Sequence, residues 1–385
     1  MREEDKIRIT RMSISEGTIG LRLVDFGAIG DGAADDTVAV RNAINAAAES
    51  GRMLHCASGH YRLTSEIVVP GAIRLLGEGF AVDRGSELAG NGTWFHIAHS
   101  GVGFRLLTTQ QGGIFEGFGT WRDQPTPQTG WRPNAHDFDF WMSPHANEWT
   151  FRDLMLLNPT RGIKCSNRPL VDNVKMQAFI EGICIDDCRD TARLQNVHVW
   201  PFWSESEHVA RYTIGSLDAF RLLRCDNPTM ISCFSIWHRR GISIEQGMTG
   251  AVFKLRATCC DFDVGQNGIV IEGGVTDATL YVSDIATQGA PAYTDLGLGI
   301  QVAGRRCTVI VNGLCSFDHG QGLVRVDGAE NRLIVQGADL RNWDRGNRGF
   351  AAASCSAEST FVLRNHLVSN SLNPAAPQIS GPVQT

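Results

Sequence analysis

Carboxylate side chains are concentrated in the loops of the central part of the chain, where they could serve as acid and base in the cleavage of a glycosidic bond. Hydrolysis of such a bond needs one protonated carboxyl group for the leaving group and one ionised carboxylate, which acts as nucleophile or activates water. Histidine and arginine side chains of the same loops would position the substrate. The candidate acids and bases are Glu205, Glu207, Asp261 and Asp263, with Asp218 as a reserve, and the candidate positioning residues are His198, His208, His238 and Arg239.

The run WPFWSESEH, from Trp200 to His208, combines aromatic rings with carboxylates. Surface loops rarely carry so many aromatic side chains unless a ligand or another surface covers them. Flat indole rings suit the apolar faces of sugars, so Trp200, Trp203 and Trp237 are the candidate stacking residues. The alternative is that these rings pack against the loop itself or against another subunit.

A repeated two-part phrase positions these loops from about Phe151 onward. It consists of an alternating strand, a loop of variable length, and a glycine followed by a short apolar strand. Gly162 and Gly182 are 20 positions apart, as expected when each repeat is one coil of a solenoid. The second strands of the phrase are GIKC from Gly162, GICI from Gly182, DAFRLL from Asp218, GISI from Gly241, GIVI from Gly268, GIQV from Gly299, GLVRV from Gly322 and GFAA from Gly349.

The alternation of the first strands predicts which side chains face the interior. Coils of parallel strands stack roughly 4.8 Å apart, so carboxylates on neighbouring or next-nearest coils can reach the roughly 5 to 9.5 Å between glycosidase carboxyl groups. All intervening loops then lie on one side of the solenoid. The predicted interior positions are Val174 and Met176, then Val197 and Val199, then Phe234 and Ile236, and the predicted outward positions are Lys175, Gln177, His198, Trp200, Ser235 and Trp237.

A glycine-rich turn and one amphipathic helix precede the repeats. Asp35, Asp36 and Thr37 supply N-cap groups and negative charge suited to a helix start, and Gly51 supplies a stop. Apolar residues recur at helical spacing between them, which predicts a helix over about 37–50. Short apolar runs broken by Gly, Pro or Ser follow up to Gly79, and their length is typical of strands.

The opening VDFGAIGDGAADDTVAVRNAINAAAESG resembles that of the pectate-lyase-like superfamily, which includes the phage tailspike and polysaccharide-depolymerase branch. The resemblance implies an all-β fold: a single-stranded right-handed parallel β-helix, or solenoid, with an N-terminal capping α-helix. It also implies a polysaccharide substrate and a homotrimer, in which active sites lie within or between subunits. Asp186 and Asp187 resemble the paired aspartates of polygalacturonase-type members, but the other motifs of that group are incomplete, so this pair receives no catalytic role.

The chain divides into an arm, one solenoid domain and a tail. We predict an N-terminal arm at 1–20, a β-helix domain at 21–365 and an extended C-terminal tail at 366–385. Within the domain, the stretch from about 85 to 147 is rich in Trp, Phe and Pro and breaks the phrase. It is therefore predicted to be an irregular excursion.

Composition restricts the classes of partner. The formal net charge of −6 over 385 residues lacks the basic field that nucleic-acid binding needs. No apolar run is long enough to span a membrane, and no secretory signal precedes the repeats. We therefore expect a polysaccharide partner, and neither nucleic acid nor membrane. The expected location is a virion tail or the extracellular space if the chain comes from a phage, and the cytoplasm otherwise.

The eleven cysteines form no disulfide framework, because their number is odd and their spacing is irregular. The close pairs at 184 and 188 and at 259 and 260 lack the matching second pair that a zinc site needs. No metal and no cofactor is therefore predicted, except calcium from dispersed carboxylates if the protein is a lyase. The cysteines predicted to be buried thiols in or beside apolar strands are Cys165, Cys225, Cys233 and Cys307.

Three functions remain open from the sequence. The first, which we prefer, is an endo-acting glycoside hydrolase of the tailspike or depolymerase type that uses a carboxylate pair in the loop-side groove. The second is a pectate-type polysaccharide lyase acting by β-elimination, in which Arg239 and Arg240 neutralise an enolate-like intermediate. The third is a non-catalytic virion or adhesin component that binds glycan or protein.

Overall fold

The computed structural model describes residues 20–369 and 371–385 and winds them into a solenoid of stacked parallel strands. Each complete coil contributes three strands, which we call rows 1, 2 and 3 in chain order. The coils form a right-handed parallel β-helix, the hand in which parallel strands are almost always connected. The predicted all-β fold is therefore confirmed, whereas the predicted N-terminal arm lies, except for Gly20, outside the described residues.

Rows 1 and 2 together form a 22-stranded sheet, and row 3 forms a 12-stranded sheet. Row 1 contains Leu21–Arg22, Leu54–Cys56, Arg74–Gly77, Ile114–Glu116, Thr150–Arg152, Leu170–Asp172, Arg193–Gln195, Thr229–Ile231 and Val383–Gln384. Row 2 contains Asp31–Asp35, Gly59–Leu63, Thr93–Ile97, Gly119–Trp121, Met155–Leu156, Lys175–Met176, His198–Val199 and Phe234–Ile236. In later coils one long strand covers both rows, at Leu255–Gly265, Thr279–Gly289, Thr308–Phe317, Arg332–Arg341 and Thr360–Ser369.

Row 3 and the remaining elements complete each turn of the solenoid. Row 3 contains Ile67–Val69, Phe104–Leu106, Phe138–Met142, Arg161–Cys165, Glu181–Ile185, Asp218–Leu222, Arg240–Ile244, Asn267–Ile271, Ile300–Val302, Val324–Val326, Ala353–Cys355 and Ile379–Ser380. Two helices, α1 (Thr37–Ser50) and α2 (Glu207–Ser216), lie in loops that follow row 2. A 3-10 turn at Leu23–Phe26 and a small sheet of Cys225–Asp226 with Val252–Phe253 complete the elements.

From the strand Ile114–Glu116 onward, a single residue in the left-handed region turns each corner between rows 1 and 2. Asp153, Asn173 and Asn196 occupy this position on successive coils, with φ near +50°. Their side chains are linked, because the Asn173 amide donates to Asp153 and the Asn196 amide donates to Asn173 at 2.9 Å. This fixed corner holds rows 1 and 2 in register, so variation in repeat length falls in the other connections.

The glycines of the repeated phrase begin row 3 because the chain crowds there. A Cβ on Gly162 would lie 2.5 Å from the carbonyl oxygen of Gly182, and one on Gly182 would lie 2.4 Å from that of Ala219. Seven of the eight predicted second strands match row 3 closely. The last one begins at Ala353, four residues after the predicted Gly349.

The helix predicted at about 37–50 is α1. Asp35 receives the hydrogen bond from the Thr37 backbone at 3.0 Å, while Asp36 instead accepts from the backbone of Ile29 and Gly30 in the preceding turn. Gly30 needs its left-handed φ of +68° there. The apolar side of α1 joins the central core and packs against the first strands of rows 1 and 3, with Val40, Ala43, Ile44 and Ala47 buried.

Two regions are more regular than the sequence suggests. The predicted excursion at 85–147 contains strands of all three rows, and its irregularity is confined to long loops, above all residues 122–137. The predicted C-terminal tail also continues the solenoid. Ile379–Ser380 pairs with row 3 and Val383–Gln384 pairs with row 1. These residues therefore extend the sheets by a partial coil.

The predicted interior register is wrong at one coil. Lys175, His198 and Phe234 are in register on successive strands, and the next position aligns Met176, Val199 and Ser235. Ser235 is fully buried in the solenoid and Phe234 faces outward, which is the reverse of the prediction. A slip of one residue exchanges the two faces of a strand.

The outer side of row 2 explains this slip, since it carries a second hydrophobic core, which we call the aromatic satellite. Loop segments near residues 80–89, 131 and 200–212 pack onto the outward side chains of this row. Both faces of the strand are therefore apolar, so the alternation of side chains no longer shows which face is turned to the interior. The buried residues of the satellite are Trp94, Trp131, Met155, Leu157, Phe179, Trp203 and Val209.

Candidate functional site

Charged side chains form a continuous network along the outer face of row 3, which we call the charged ladder. Strand register places Arg161, Glu181, Asp218 and Arg240 at equivalent positions of four successive coils. Arg161 pairs with Glu181 at 2.9 Å, and Glu181 also pairs with Arg221 at 3.1 Å. The complete ladder consists of Arg161, Glu181, Asp218, Arg221, Arg239, Arg240, Glu245 and Glu272.

Arg240 brings two carboxylates of this ladder close together. Its Nη1 atom lies 3.5 Å from Asp218 Oδ2 and 3.3 Å from Glu245 Oε1. These two oxygens can therefore be no more than about 7 Å apart, which is compatible with the roughly 5 to 9.5 Å between glycosidase carboxyl groups. The other terminal nitrogen of Arg240 pairs with Glu272 at 2.7 Å.

The environment shifts the pKa values of the two carboxyl groups in opposite directions. Burial raises the pKa of Asp218, and the hydrogen bond from Arg239 opposes this only in part. Burial also acts to raise the pKa of Glu245, but the hydrogen bond from Arg221 and the charges of Arg221 and Arg240 outweigh it and lower that pKa. Divergent pKa values of neighbouring carboxyl groups are the arrangement that separates an acid from a base.

A groove of about 240 Å³ adjoins the ladder. Arg239, Arg240 and Glu272 of the ladder line it, together with residues 296–298. Neither Asp218 nor Glu245 lines the groove. Arg239 binds the Asp218 carboxylate in a two-pronged contact and is more exposed than Asp218. Arg239 therefore separates Asp218 from the groove in this conformation.

The structure distributes the other predicted acids and bases over separate surroundings. Glu205 pairs with Arg84 at the edge of the aromatic satellite. Glu207 is the first residue of α2 and pairs with Arg211, one turn further along that helix, at 3.2 Å. Asp218 belongs to the charged ladder, so these three carboxylates have different partners.

Asp261 and Asp263 form a second carboxylate pair on the strand Leu255–Gly265. Burial, then the charge of Asp261, raises the pKa of Asp263. Asp261 lines a shallow depression of about 520 Å³, together with Asp284 and Asp339. This depression lies at the corner between rows 1 and 2, on a different face from the charged ladder.

Two of the predicted substrate-binding residues are buried and cannot contact a ligand in this structure. Trp203 is 3% exposed and belongs to the aromatic satellite, where its Nε1 donates to the carbonyl of Glu87 at 3.0 Å. His238 is fully buried against Ser235 Oγ, 3.0 Å from its Nδ1, and burial lowers its pKa to about 3. For Trp203, packing against its own loop is thus the correct alternative.

The remaining predicted substrate-binding residues are at least partly exposed. Trp200 and Trp237 line one small pocket, whereas His208 and Arg239 line other grooves. Trp200 is half-buried beside Phe234 and His198, with ring centroids 5.6 and 5.5 Å from its own. Trp237 is half-buried at a left-handed position with φ of +57°. His208 lies on α2, at a groove formed with Trp131 and Arg211. Of the predicted set, Asp218 and Arg239 alone are in direct contact in the charged ladder.

Most residues of the ladder, including Glu181, Arg221, Glu245 and Glu272, were not predicted from the sequence. A signal was present, because a charged residue occupies the first position of row 3, directly before a glycine, on several coils. That residue is Arg161 before Gly162, Glu181 before Gly182 and Arg240 before Gly241. Only the register shows that these residues lie side by side.

Residues 20–369 and 371–385 contain no group of three or more His, Cys, Asp or Glu side chains arranged to hold a metal ion. Neither α1 nor α2 is long and apolar enough to cross a bilayer. All eleven cysteines are free thiols, and nine of them are buried, including the four predicted ones.

Comparisons with known proteins support the fold. Residues 22–94 match the family model described as rhamnogalacturonase A/epimerase, pectate lyase-like. A glucan 1,3-beta-glucosidase of Cochliobolus carbonum is 43% identical over 60 residues, which are 16% of this chain and 8% of that protein. The predicted resemblance to pectate-lyase-like proteins is thus confirmed in the N-terminal part of the chain.

Solved structures extend the likeness to almost the whole chain. The catalytic domain of a GH87 alpha-1,3-glucanase in complex with nigerose has a TM-score of 0.59 at 9% identity, with 92% of this chain and 66% of that chain covered. PfbA, a surface adhesin of Streptococcus pneumoniae, has a TM-score of 0.59 at 11% identity, with 92% of this chain and 91% of the adhesin chain covered. At these identities the likeness shows a shared β-helix fold.

Proposed function

We propose that the protein binds and hydrolyses a polysaccharide as an endo-acting glycoside hydrolase, with the charged ladder as its active site. The observation that carries this proposal is the pair Asp218 and Glu245, two carboxyl groups within about 7 Å whose pKa values diverge. The glucosidase match over 60 residues and the fold shared with a glucanase domain add support.

In this proposal Asp218 is the general acid and Glu245 the base or nucleophile. A raised pKa keeps the Asp218 carboxyl protonated at higher pH, so it can donate a proton to the leaving oxygen. A lowered pKa keeps Glu245 ionised, so it can activate water or attack the anomeric carbon. Arg240 holds both groups at a fixed separation, and Arg239 must leave Asp218 when substrate enters the groove.

Incubation with a panel of neutral and acidic glycans, followed by mass spectrometry of the oligosaccharides, tests the activity. Hydrolysis adds one water per cleaved bond, whereas β-elimination produces an unsaturated end. Glu245→Gln and Asp218→Asn should each lower turnover at least about 100-fold, while Glu330→Gln, in an exposed ion pair with Arg305, should not. Unsaturated products would indicate the lyase, and binding without products would indicate the non-catalytic alternative.

The pH profile separates the two roles. Activity should fall as the pH rises through the pKa of Asp218, because the acid is then ionised, and as it falls through the pKa of Glu245, because the base is then protonated. Arg239→Gln removes a hydrogen bond that lowers the pKa of Asp218. The basic limb should therefore move to higher pH, and an unmoved limb would exclude Asp218 as the acid.

Asp261 and Asp263 are the second candidate pair, and the same assay decides between the pairs. Their carboxylates lie two positions apart on one strand, hence on the same face, and the raised pKa of Asp263 suits an acid. Asp261→Asn should leave turnover unchanged if the ladder is the active site. If Asp261→Asn lowers turnover about 100-fold while Glu245→Gln has normal turnover, Asp261 and Asp263 are the catalytic pair.

A homotrimer remains part of the proposal. The outer face of row 1 carries an apolar stripe in the later coils, formed by Tyr281, Ile310, Ile334 and Val362 in register. Tyr281 is 41% exposed, and association side by side would cover the stripe. Light scattering during size-exclusion chromatography should give about three times 42.0 kDa, and a monomer mass would reject the trimer.

A further inference from the structure

A second cleft, separate from the charged ladder, opens at the edge of the aromatic satellite. It has a volume of about 410 Å³. Glu87 and Leu88 form part of one wall, and Trp121, Asp123 and Thr126 form part of the other. Two loops that follow different strands thus meet here, and the cleft falls in the roughly 300–1,000 Å³ of small-molecule sites.

The Glu87 side of the cleft is held in place by residues 203 and 204. The backbone of Glu87 makes two hydrogen bonds with Trp203, since its N–H donates to the Trp203 carbonyl and its carbonyl accepts from the Trp203 indole side chain. Its carboxylate accepts from Ser204 Oγ at 2.9 Å. Glu87 also adopts a left-handed φ of +62°, a conformation that persists only where the surroundings enforce it.

The opposite wall is a stacked unit of three side chains. The Trp121 ring lies on the His96 imidazole, with centroids 3.6 Å apart and planes 6° from parallel. His96 Nε2 lies 3.0 Å from Asp123 Oδ1, while 64% of the Asp123 side chain remains exposed. Asp123 therefore has acceptor capacity left for a ligand, and the aromatic ring beside it is fixed.

The two carboxylates of this cleft, Glu87 and Asp123, are acceptors, and no uncompensated positive charge lines the cleft among the residues that the structure describes. Arg122, which also lies in its wall, is fully buried and binds Asp139 at 2.7 Å and the carbonyls of His99 and Gly101, so its charge is already compensated. Two carboxylates beside an aromatic ring disfavour an acidic sugar and suit a ligand with hydroxyl donors and an apolar face.

Two ring nitrogens of the stacked unit add an independent observation. Trp121 Nε1 and His96 Nδ1 are withdrawn from solvent and have no hydrogen-bond partner among the residues that the structure describes. Buried polar atoms are almost always paired, with protein or with water. Trp121 lines the cleft and His96 is stacked on it, so both unpaired atoms belong to the unit that forms this wall.

We propose that this cleft binds a neutral disaccharide unit of a glycan, with Trp121 as the aromatic platform and with Glu87 and Asp123 as acceptors of sugar hydroxyl groups. The site is distinct from the proposed active site and does not depend on it. It would hold about two sugar rings of a chain, in the manner of an accessory binding site.

Titration calorimetry with nigerose, laminaribiose, cellobiose and maltose tests the proposal. At least one should bind with a millimolar Kd, and Glu87→Gln and Asp123→Asn should each weaken that binding at least about tenfold, since hydrogen bonds to charged acceptors are lost. Asp83→Asn, an exposed carboxylate of the same loop outside the cleft, should bind normally. Glu245→Gln should also bind normally, which separates this site from the proposed hydrolase.

Thr126→Arg provides a variant that leaves the contacts of Glu87 and Asp123 intact, because Thr126 is exposed at the rim. Its longer side chain should fill the cleft and abolish binding. The proposal is wrong if none of the four disaccharides saturates the protein below about 20 mM. It is equally wrong if Thr126→Arg and Asp123→Asn, both folded by circular dichroism, bind like the wild type.

Discussion

The charged ladder and the aromatic satellite occupy two faces of the same solenoid. Both are built from outward side chains of stacked strands, but one face is open and the other is covered. In both, outward side chains of successive coils lie in register and contact one another. On row 3 these side chains are charged, paired and partly exposed, and the face stays open. On row 2 they are aromatic and apolar, and long loops cover them.

The difference shows how a repetitive scaffold separates chemistry from support. An open charged face can present carboxyl groups whose pKa values depend on nearby arginines. A covered apolar face anchors long loops and leaves clefts at its edges, where loops meet. Four measurements, taken from the largest expected effect to the smallest, test this contrast.

Arg122→Met should have the largest effect on stability. It leaves the fully buried Asp139 carboxylate without its partner, which should cost about 3–5 kcal/mol. Arg161→Met removes a half-exposed partner of Glu181 on the open face and should cost no more than about 1 kcal/mol. Urea unfolding monitored by tryptophan fluorescence gives both values. Equal losses would mean that the two faces do not differ in burial as described.

Phe234→Ala tests the register of row 2. Because Phe234 faces outward beside His198 and Trp200, its loss should cost about 1–2 kcal/mol, less than the 3–5 kcal/mol of a fully buried phenylalanine. Val199→Ala, at an interior position, is the comparison, and about 1–3 kcal/mol is expected for that smaller side chain. A loss of 3–5 kcal/mol for Phe234→Ala would restore the interior position that the sequence predicted.

Mild acid should loosen the covered face before the open one. Burial lowers the pKa values of His96, His99 and His136, that of His99 to about 4, so the unfolded chain binds more protons below about pH 6.5. As the pH decreases below about 6.5, the region around these histidines should therefore become less stable. The free energy of unfolding should decrease by at most about 1.4 kcal/mol per pH unit for each histidine. The lowered pKa of Glu245 acts only near pH 4.5 and below.

Hydrogen exchange at pH 7 and pH 5.2, corrected for intrinsic rates, measures the acid effect locally. Residues 80–97 and 122–137 should lose protection, whereas the row 3 strands 161–165 and 181–185 should keep it. Simultaneous loss in both regions would contradict an independent response of the two faces.

Glu207→Gln should have the smallest effect. It removes one exposed ion pair with Arg211 and a favourable charge in the first turn of α2, together about 0.5–1 kcal/mol. Turnover should stay within about twofold of the wild type, because Glu207 has no contact with the charged ladder. A loss of about 100-fold would return the active site to the loop from Trp200 to Asp218.

Local patterns were reliable where one face of an element is apolar and the other polar. The spacing of Val40, Ile44 and Ala47 gave α1 its correct range, and the glycines before row 3 gave most of its strands. The pattern failed at Phe234, where both faces are covered. It also failed at Trp203 and His238, which look like surface chemistry in a loop and are buried in the fold.

By itself, the sequence determined the repeat, the helix and the solenoid, because hydrophobic periodicity, glycines and turn residues act over a few neighbouring positions. Only the tertiary structure decided the partners of each charge. Stacking brings residues about 20 to 40 positions apart into contact, so Arg240 meets Asp218 and Arg221 meets Glu181 across coils. Those contacts set the burial and the pKa of the carboxyl groups, and therefore the place of the proposed catalytic residues.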